Sequence, residues 1–183
     1  MTSEVFTYVL GIGGNVVAEG EGPLHRLKQA LNQLPIDHKA ASRFYESDAL
    51  LPPGAPANWN RPYFNFAVKG QSTLPPQELL PIIKSLEIKL GRTPRGRWAP
   101  REVDIDILVV DSLVIDDADL DLKIPHPGLL ERPFALLPLV EVWPNWKYPK
   151  PGLYKNKTAM ELAGDWLGDP KNVPFSTHVS SIQ

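Results

Sequence analysis

Four strand-like runs and two helix-like runs, in the order β-α-β-β-α-β, predict an α+β fold, a ferredoxin-like sandwich with its helices packed on one face of a mostly antiparallel sheet. Phe64, Phe66 and Val68 alternate with Tyr63, Asn65 and Ala67, the period of a half-buried strand. Leu24, Leu27, Leu31 and Leu34 recur at helical spacing, and so do Leu79, Ile83, Leu86 and Leu90. A length of 183 residues with 43% hydrophobic and 22% charged side chains suits one domain built on a single core. That domain is expected over 1–167, with short helices after the sheet and a weakly patterned, poorly ordered tail over 168–183.

The first strand is read at "VFTYVL" (5–10), running into a Gly-rich turn, "GIGGN". The first helix follows, then a single strand over "KAASRFYES" (39–47). "LLPPGAPANWNRP" (50–62) has no period and reads as a long loop, a length that often marks a functional lid. After the strand at 63–68 comes the second helix, closed by Gly91, with Pro81 expected to kink its first turn or delay its start. A second loop spans 92–100, and "EVDIDILVV" (102–110) is a strand expected to form a hairpin with the "LVI" beyond it. Short helices are expected near 127–142 and 158–167.

The net charge of −2 supplies no global field for nucleic acid, so an anion site must be local. Four of the eight arginines, Arg92, Arg95, Arg97 and Arg101, fall within 91–101, a stretch without an acid. Without cysteine, a metal would take oxygen or imidazole ligands. The N-terminus does not read as a signal peptide, and no apolar run reaches membrane-spanning length, so a cytoplasmic protein is expected.

Asp104 and Asp106 stand at i and i+2 of a strand and project to one face. Held close and unpaired they would repel, and a divalent cation removes that conflict; carboxylates without thiolates suit Mg²⁺ shared with substrate phosphates. The plain alternative is two solvated residues on the polar face of an amphipathic strand. The arginines shift the balance, because planar guanidinium forks match phosphate oxygens. Trp98 also argues against a purely solvated loop. Tyr63 and Asn65 offer a flat surface and a donor–acceptor pair for a planar heterocycle, although a satisfied half-buried polar pair fits the spacing equally well. "GIGGN" is neither a Walker A motif nor a full G-x-G-x-x-G, and reads first as glycine packing at a strand end, with a role in shaping a pocket as the alternative.

Together the segments "LGIGGN", "RFYES", "PYFNFAV", "LEIKLGR", "RWAPREVDIDIL" and "IPHPGLLERPFALLPL" resemble the 6-hydroxymethyl-7,8-dihydropterin pyrophosphokinases of folate biosynthesis. The resemblance implies transfer of pyrophosphate from ATP to the pterin hydroxymethyl group, releasing AMP, with Asp104 and Asp106 holding two Mg²⁺ ions. It assigns Glu87, Arg97, Trp98, Arg101, Ile107, His126 and Arg132 to ATP, and makes Arg92, Arg95, Arg97 and Arg101 the catalytic residues beside the phosphates. Ser47, Tyr63, Asn65, Trp98 and Phe134 go to the pterin, Tyr63 and Phe134 on its two faces. Gly14 and Ala99 depart from the family's usual Ser and Gly. At 183 residues the chain is too short to hold the pteroate synthase sometimes fused to this family.

On this reading catalysis rests on positioning and electrostatics without a covalent intermediate. Two rivals remain: a non-catalytic module binding nucleotide or RNA through the arginine loop, and a relative that binds pterin without turnover. Paired acids argue against the first, since they repel bare phosphate, and no nucleic-acid partner is expected.

Overall fold

The computed structural model describes residues 4–16, 22–96, 98–172 and 174–178. Strand β1 (Phe6–Gly14) runs straight through the expected glycine turn. Helix α1 (Pro23–Gln33) starts on a proline whose missing N–H costs nothing in a first turn, and buries Leu27, Ala30 and Leu31. The single strand expected at 39–47 is two, β2 (Asp37–Ala41) and β3 (Arg43–Ser47). Ser42 breaks them apart: its Oγ accepts the Ala67 N–H at 2.9 Å, while its own N–H donates to the Ala67 carbonyl. A hydroxyl thus takes the place of a ladder carbonyl.

Strand β4 (Tyr63–Ser72) and helix α2 (Pro76–Lys89) follow. The helix starts well before Pro81 and contains it, so that residue does not delay it. Gly91 closes the helix at φ 91, a conformation open to glycine without strain. Strand β5 (Asp104–Val110) does not form the expected hairpin with its sequel. Strands β6 (Ile115–Asp117) and β7 (Leu122–Ile124) pair only with each other, in a separate small sheet.

The main sheet has the order β5-β1-β4-β3, with β2 also pairing β4, and every pairing is antiparallel. That is the order of the ferredoxin-like sandwich. The C-terminal segment, expected as an unpatterned tail, adds an edge strand β8 (Phe175–His178) beside β3.

One face of the sheet carries Tyr8, Leu10, Ile12, Phe44, Phe66, Val68, Ile105 and Ile107, sealed by α1 and α2. Phe44 and Phe66 meet edge to face at 5.0 Å. The other face is not left bare, as helices on one side alone would leave it. Helix α3 (Pro133–Val142) lies across β4, β3 and β1 and forms a second core with Val9, Tyr45, Ala67, Leu108 and Val109. Helix α4 (Ala159–Ala163), started by a Thr158–Glu161 capping box, and the buried Trp146 complete it. Glu141 pins α3 to the sheet, accepting from Arg43 Nη2 and the Tyr45 hydroxyl, each at 2.7 Å.

Candidate active site

Helix α3 covers only part of the second face. The uncovered part is a cleft of about 760 Å³. Its floor follows from strand register. Gly13 pairs with Asp104 on one side and Asn65 on the other, and Asn65 pairs with Tyr45. One row therefore reads Asp104–Gly13–Asn65 across three strands, and Gly11 separates Asp106 from Ala67 in the next. At a strand spacing of about 4.8 Å, the carboxylates and Asn65 stand about 10 Å apart with only glycine between them. A Cβ on Gly13 would lie 2.6 Å from Asn65 Oδ1 and 3.1 Å from the Tyr63 ring, and one on Gly11 would lie 3.2 Å from Leu108. The glycines keep the floor clear.

Of the residues singled out in the sequence, Ser47, Tyr63, Asn65, Trp98, Arg101, Asp104, Asp106, His126, Arg132 and Phe134 all line this cleft. Four others do not. Ile107 is buried in the first core. Glu87, 1% exposed, lies behind the wall, accepting the Ile105 N–H at 2.6 Å and Lys84 Nζ at 3.0 Å and pairing with Arg92. Arg92 reaches from Glu87 towards Asp104, and Arg95 folds back onto Glu102 and the Pro100 carbonyl. Arg97 lies outside the described residues.

The three described arginines of the cluster are thus not unpaired charges. Arg92, Arg95 and Arg101 each pair with a carboxylate supplied from outside 91–101: Glu87 and Asp104, Glu102, and Asp104 respectively. Charge counting within the loop missed those partners because they lie on α2, just before β5 and at its first residue.

Asp104 is the most burdened group. Its side chain is 17% exposed, with Arg101 donating to Oδ2. Arg92 Nη1 lies 2.9 Å from Oδ1, near enough for charge attraction but out of line for a hydrogen bond. Among the described residues no donor bonds to that buried oxygen. Burial first, then repulsion from Asp106, raise the carboxyl to about 6, against the pull of Arg101, Lys84 and Arg92. Asp106 is more open, 41% exposed, with Lys84 Nζ at 3.9 Å and His126 Nε2 at 4.0 Å. A buried carboxylate oxygen without a donor, beside a second carboxylate, fits a divalent cation. Among the described residues no three acids and histidines converge on one point, so such a cation would draw its remaining ligands from substrate and water, the habit of Mg²⁺.

His126 Nδ1 accepts the Gly128 N–H at 3.1 Å, which leaves the proton of the neutral ring on Nε2. Burial lowers its pKa, with Asp106 acting the other way, so the ring is neutral at pH 7. At the far end Asn65 Nδ2 donates to Ser47 Oγ at 3.2 Å, which holds the amide against β3. Burial, then the Asp104 charge, raises the Tyr63 hydroxyl and keeps it protonated. Trp98 stands at φ 69, a left-handed backbone that costs about 1–2 kcal/mol for a bulky residue.

The residue types missed in the sequence are those whose role needs register. Gly11 and Gly13 carried the same i, i+2 signal as the two aspartates, and the less favoured reading of "GIGGN", a share in shaping a pocket, is where their register puts them. Asn15, also in the cleft wall, had no signal of its own.

The family model for 7,8-dihydro-6-hydroxymethylpterin-pyrophosphokinase (HPPK) matches residues 9–144. The "2-amino-4-hydroxy-6-hydroxymethyldihydropteridine pyrophosphokinase" of Aquifex aeolicus is 40% identical over 145 residues, 78% of this chain and 84% of that protein. The "Folate synthesis bifunctional protein" of Chlamydia muridarum is 36% identical over 165 residues, 90% of this chain and 36% of that protein. The chain thus spans about a third of the bifunctional relatives it matches. A crystal structure of Plasmodium falciparum HPPK-DHPS with pteroate superimposes with a TM-score of 0.63 at 14% identity, covering 91% of this chain and 45% of that one. This supports the α+β ferredoxin-like fold. With the family model matching most of its length, the chain belongs to the 7,8-dihydro-6-hydroxymethylpterin-pyrophosphokinase family.

Proposed function

We propose that the protein transfers the pyrophosphoryl group of ATP to 6-hydroxymethyl-7,8-dihydropterin, giving the pterin diphosphate and AMP, a step of folate biosynthesis in the cytoplasm. The observation that carries this reading is the row Asp104–Gly13–Asn65, which sets a heterocycle-reading edge and a carboxylate pair on one cleared floor.

Asn65, held by Ser47, reads the pterin edge, and Tyr63 and Phe134 offer their faces to the ring. Asp104 and Asp106 would hold the two Mg²⁺ ions, which would supply neutralisation of the phosphate charge. Arg101, Arg132 and the His126 Nε2–H donate to phosphate oxygens from the walls, and Arg97 is assigned to the phosphates by the family resemblance alone. Arg92 and Arg95 act from behind the wall, Arg92 held by Glu87 and Arg95 by Glu102, so that Glu87 orders Arg92 without touching nucleotide. The hydroxymethyl oxygen bonds to the β-phosphorus as the bond from that phosphorus to the α,β-bridging oxygen breaks. The bridging oxygen leaves with AMP, and the hydroxyl proton passes to solvent. Trp98 covers the site, limiting attack by water.

A test is to incubate the protein with ATP, Mg²⁺ and the hydroxymethyl pterin. Pterin-dependent AMP formation supports the reading; no AMP, or ADP in its place, overturns it.

A further inference from the structure

Asn15 follows the end of β1, is 4% exposed, and has both ends of its side-chain amide and its backbone N–H engaged. The Arg101 N–H donates to Asn15 Oδ1 at 3.0 Å, and Asn15 Nδ2 donates to the Arg61 carbonyl at 3.1 Å. The Asn15 N–H donates to the Arg101 carbonyl at 3.0 Å. The amide orientation is forced, because a backbone N–H requires the oxygen and a backbone carbonyl requires the nitrogen. One side chain therefore ties the ends of both long loops. Arg101 ends the arginine loop three residues before Asp104. Arg61 ends the Pro-rich loop two residues before Tyr63.

We infer that Asn15 is a positioning residue that fixes the pterin-reading half of the cleft against the phosphate-binding half, so that each substrate strengthens binding of the other. The inference rests on the function proposed above. The adjacent Gly14 serves the same clamp. A Cβ there would lie 2.7 Å from the Glu102 carbonyl oxygen and 3.3 Å from that of Arg101, so in this chain a side chain at 14 would push the backbone that bonds Asn15 outward. Cutting the clamp leaves each half its own ligand contacts. What is lost is the fixed distance between them, on which in-line transfer depends steeply.

The two arms of the amide separate by substitution. Asn15→Asp keeps the acceptor for the Arg101 N–H but sets a carboxylate oxygen against the Arg61 carbonyl. Asn15→Ala removes both arms. The probes are a non-hydrolysable ATP analogue with Mg²⁺ and the hydroxymethyl pterin, titrated calorimetrically alone and each in the presence of the other, with melting curves to establish folding.

Asn15→Asp is expected to raise the pterin KM and to reduce the mutual tightening about tenfold, the scale of one buried hydrogen bond, while the analogue alone binds as before. Asn15→Ala is expected to lower kcat further; if it does not fold, Asn15→Asp and Gly14→Ala carry the test. A merely structural role predicts lower melting temperature with KM and mutual tightening unchanged in every folded variant, and that result overturns the inference. Wild-type protein that binds neither probe overturns the proposed function, and this inference with it. Wild-type protein that binds both without mutual tightening overturns the inference alone.

Discussion

Replacing Asp104 by Asn should make the ligand-free protein more stable and remove its turnover. The shift of its carboxyl from 3.8 to about 6 is caused first by burial and then by Asp106. At about 1.4 kcal/mol per pH unit this caps the cost of the charge at about 3 kcal/mol. Asn keeps the shape and can still accept from Arg101, but with a weaker neutral hydrogen bond, leaving a net gain of about 1–2 kcal/mol. A carboxyl whose folded pKa exceeds its unfolded one stabilises the fold below about pH 4 and loses that contribution as pH rises through about 6. The Asn variant should therefore match wild type near pH 4 and exceed it by roughly 3–6 °C in Tm at pH 7.5, measured in chelator. Mg²⁺-dependent nucleotide binding should be lost in the same protein. A variant less stable than wild type at pH 7.5 would refute the reasoning, showing that the Arg92 and Arg101 pairs outweigh burial and repulsion.

Tyr63→Ala and Phe134→Ala should each weaken pterin binding by about 1–3 kcal/mol, the scale of stacking on a base, with nucleotide affinity measured separately almost unchanged; an equal fall in both would move the pterin slot elsewhere. Gly13→Ala should block the floor and lower pterin affinity at least about tenfold, because its Cβ would press on Asn65 Oδ1 and the Tyr63 ring. Unchanged pterin affinity there would mean the ring does not lie across β1. Trp98→Ala should lower kcat more than ATP affinity, since it removes cover while leaving phosphate contacts; parallel losses would make Trp98 a binding residue alone.

The sheet was legible because its apolar residues keep strict periods. Phe64, Phe66 and Val68 announced β4, and the two leucine series announced the helices that seal the first core. Asp104 and Asp106 were legible by the same rule of two. Residues whose place depends on a partner strand escaped: Ser42 splits a strand only because Ala67 lies opposite it. Of "LVI" only Ile115 enters a strand, and it pairs with Ile124 of β7, not with β5. The arginines misled in an instructive way. Their loop lacks acids, but Glu87 one helical turn before it and Glu102 just after it supply the countercharge through space.

The central claim is that the cleft transfers a diphosphate as one unit from the α–β bond of ATP, and isotope placement tests it most directly. With ATP labelled at the β-phosphorus, Mg²⁺ and the hydroxymethyl pterin, the label should appear wholly in the pterin product, while label at the α-phosphorus remains wholly in AMP. β-Label recovered in ADP or in free pyrophosphate, with the pterin unlabelled, would contradict the account.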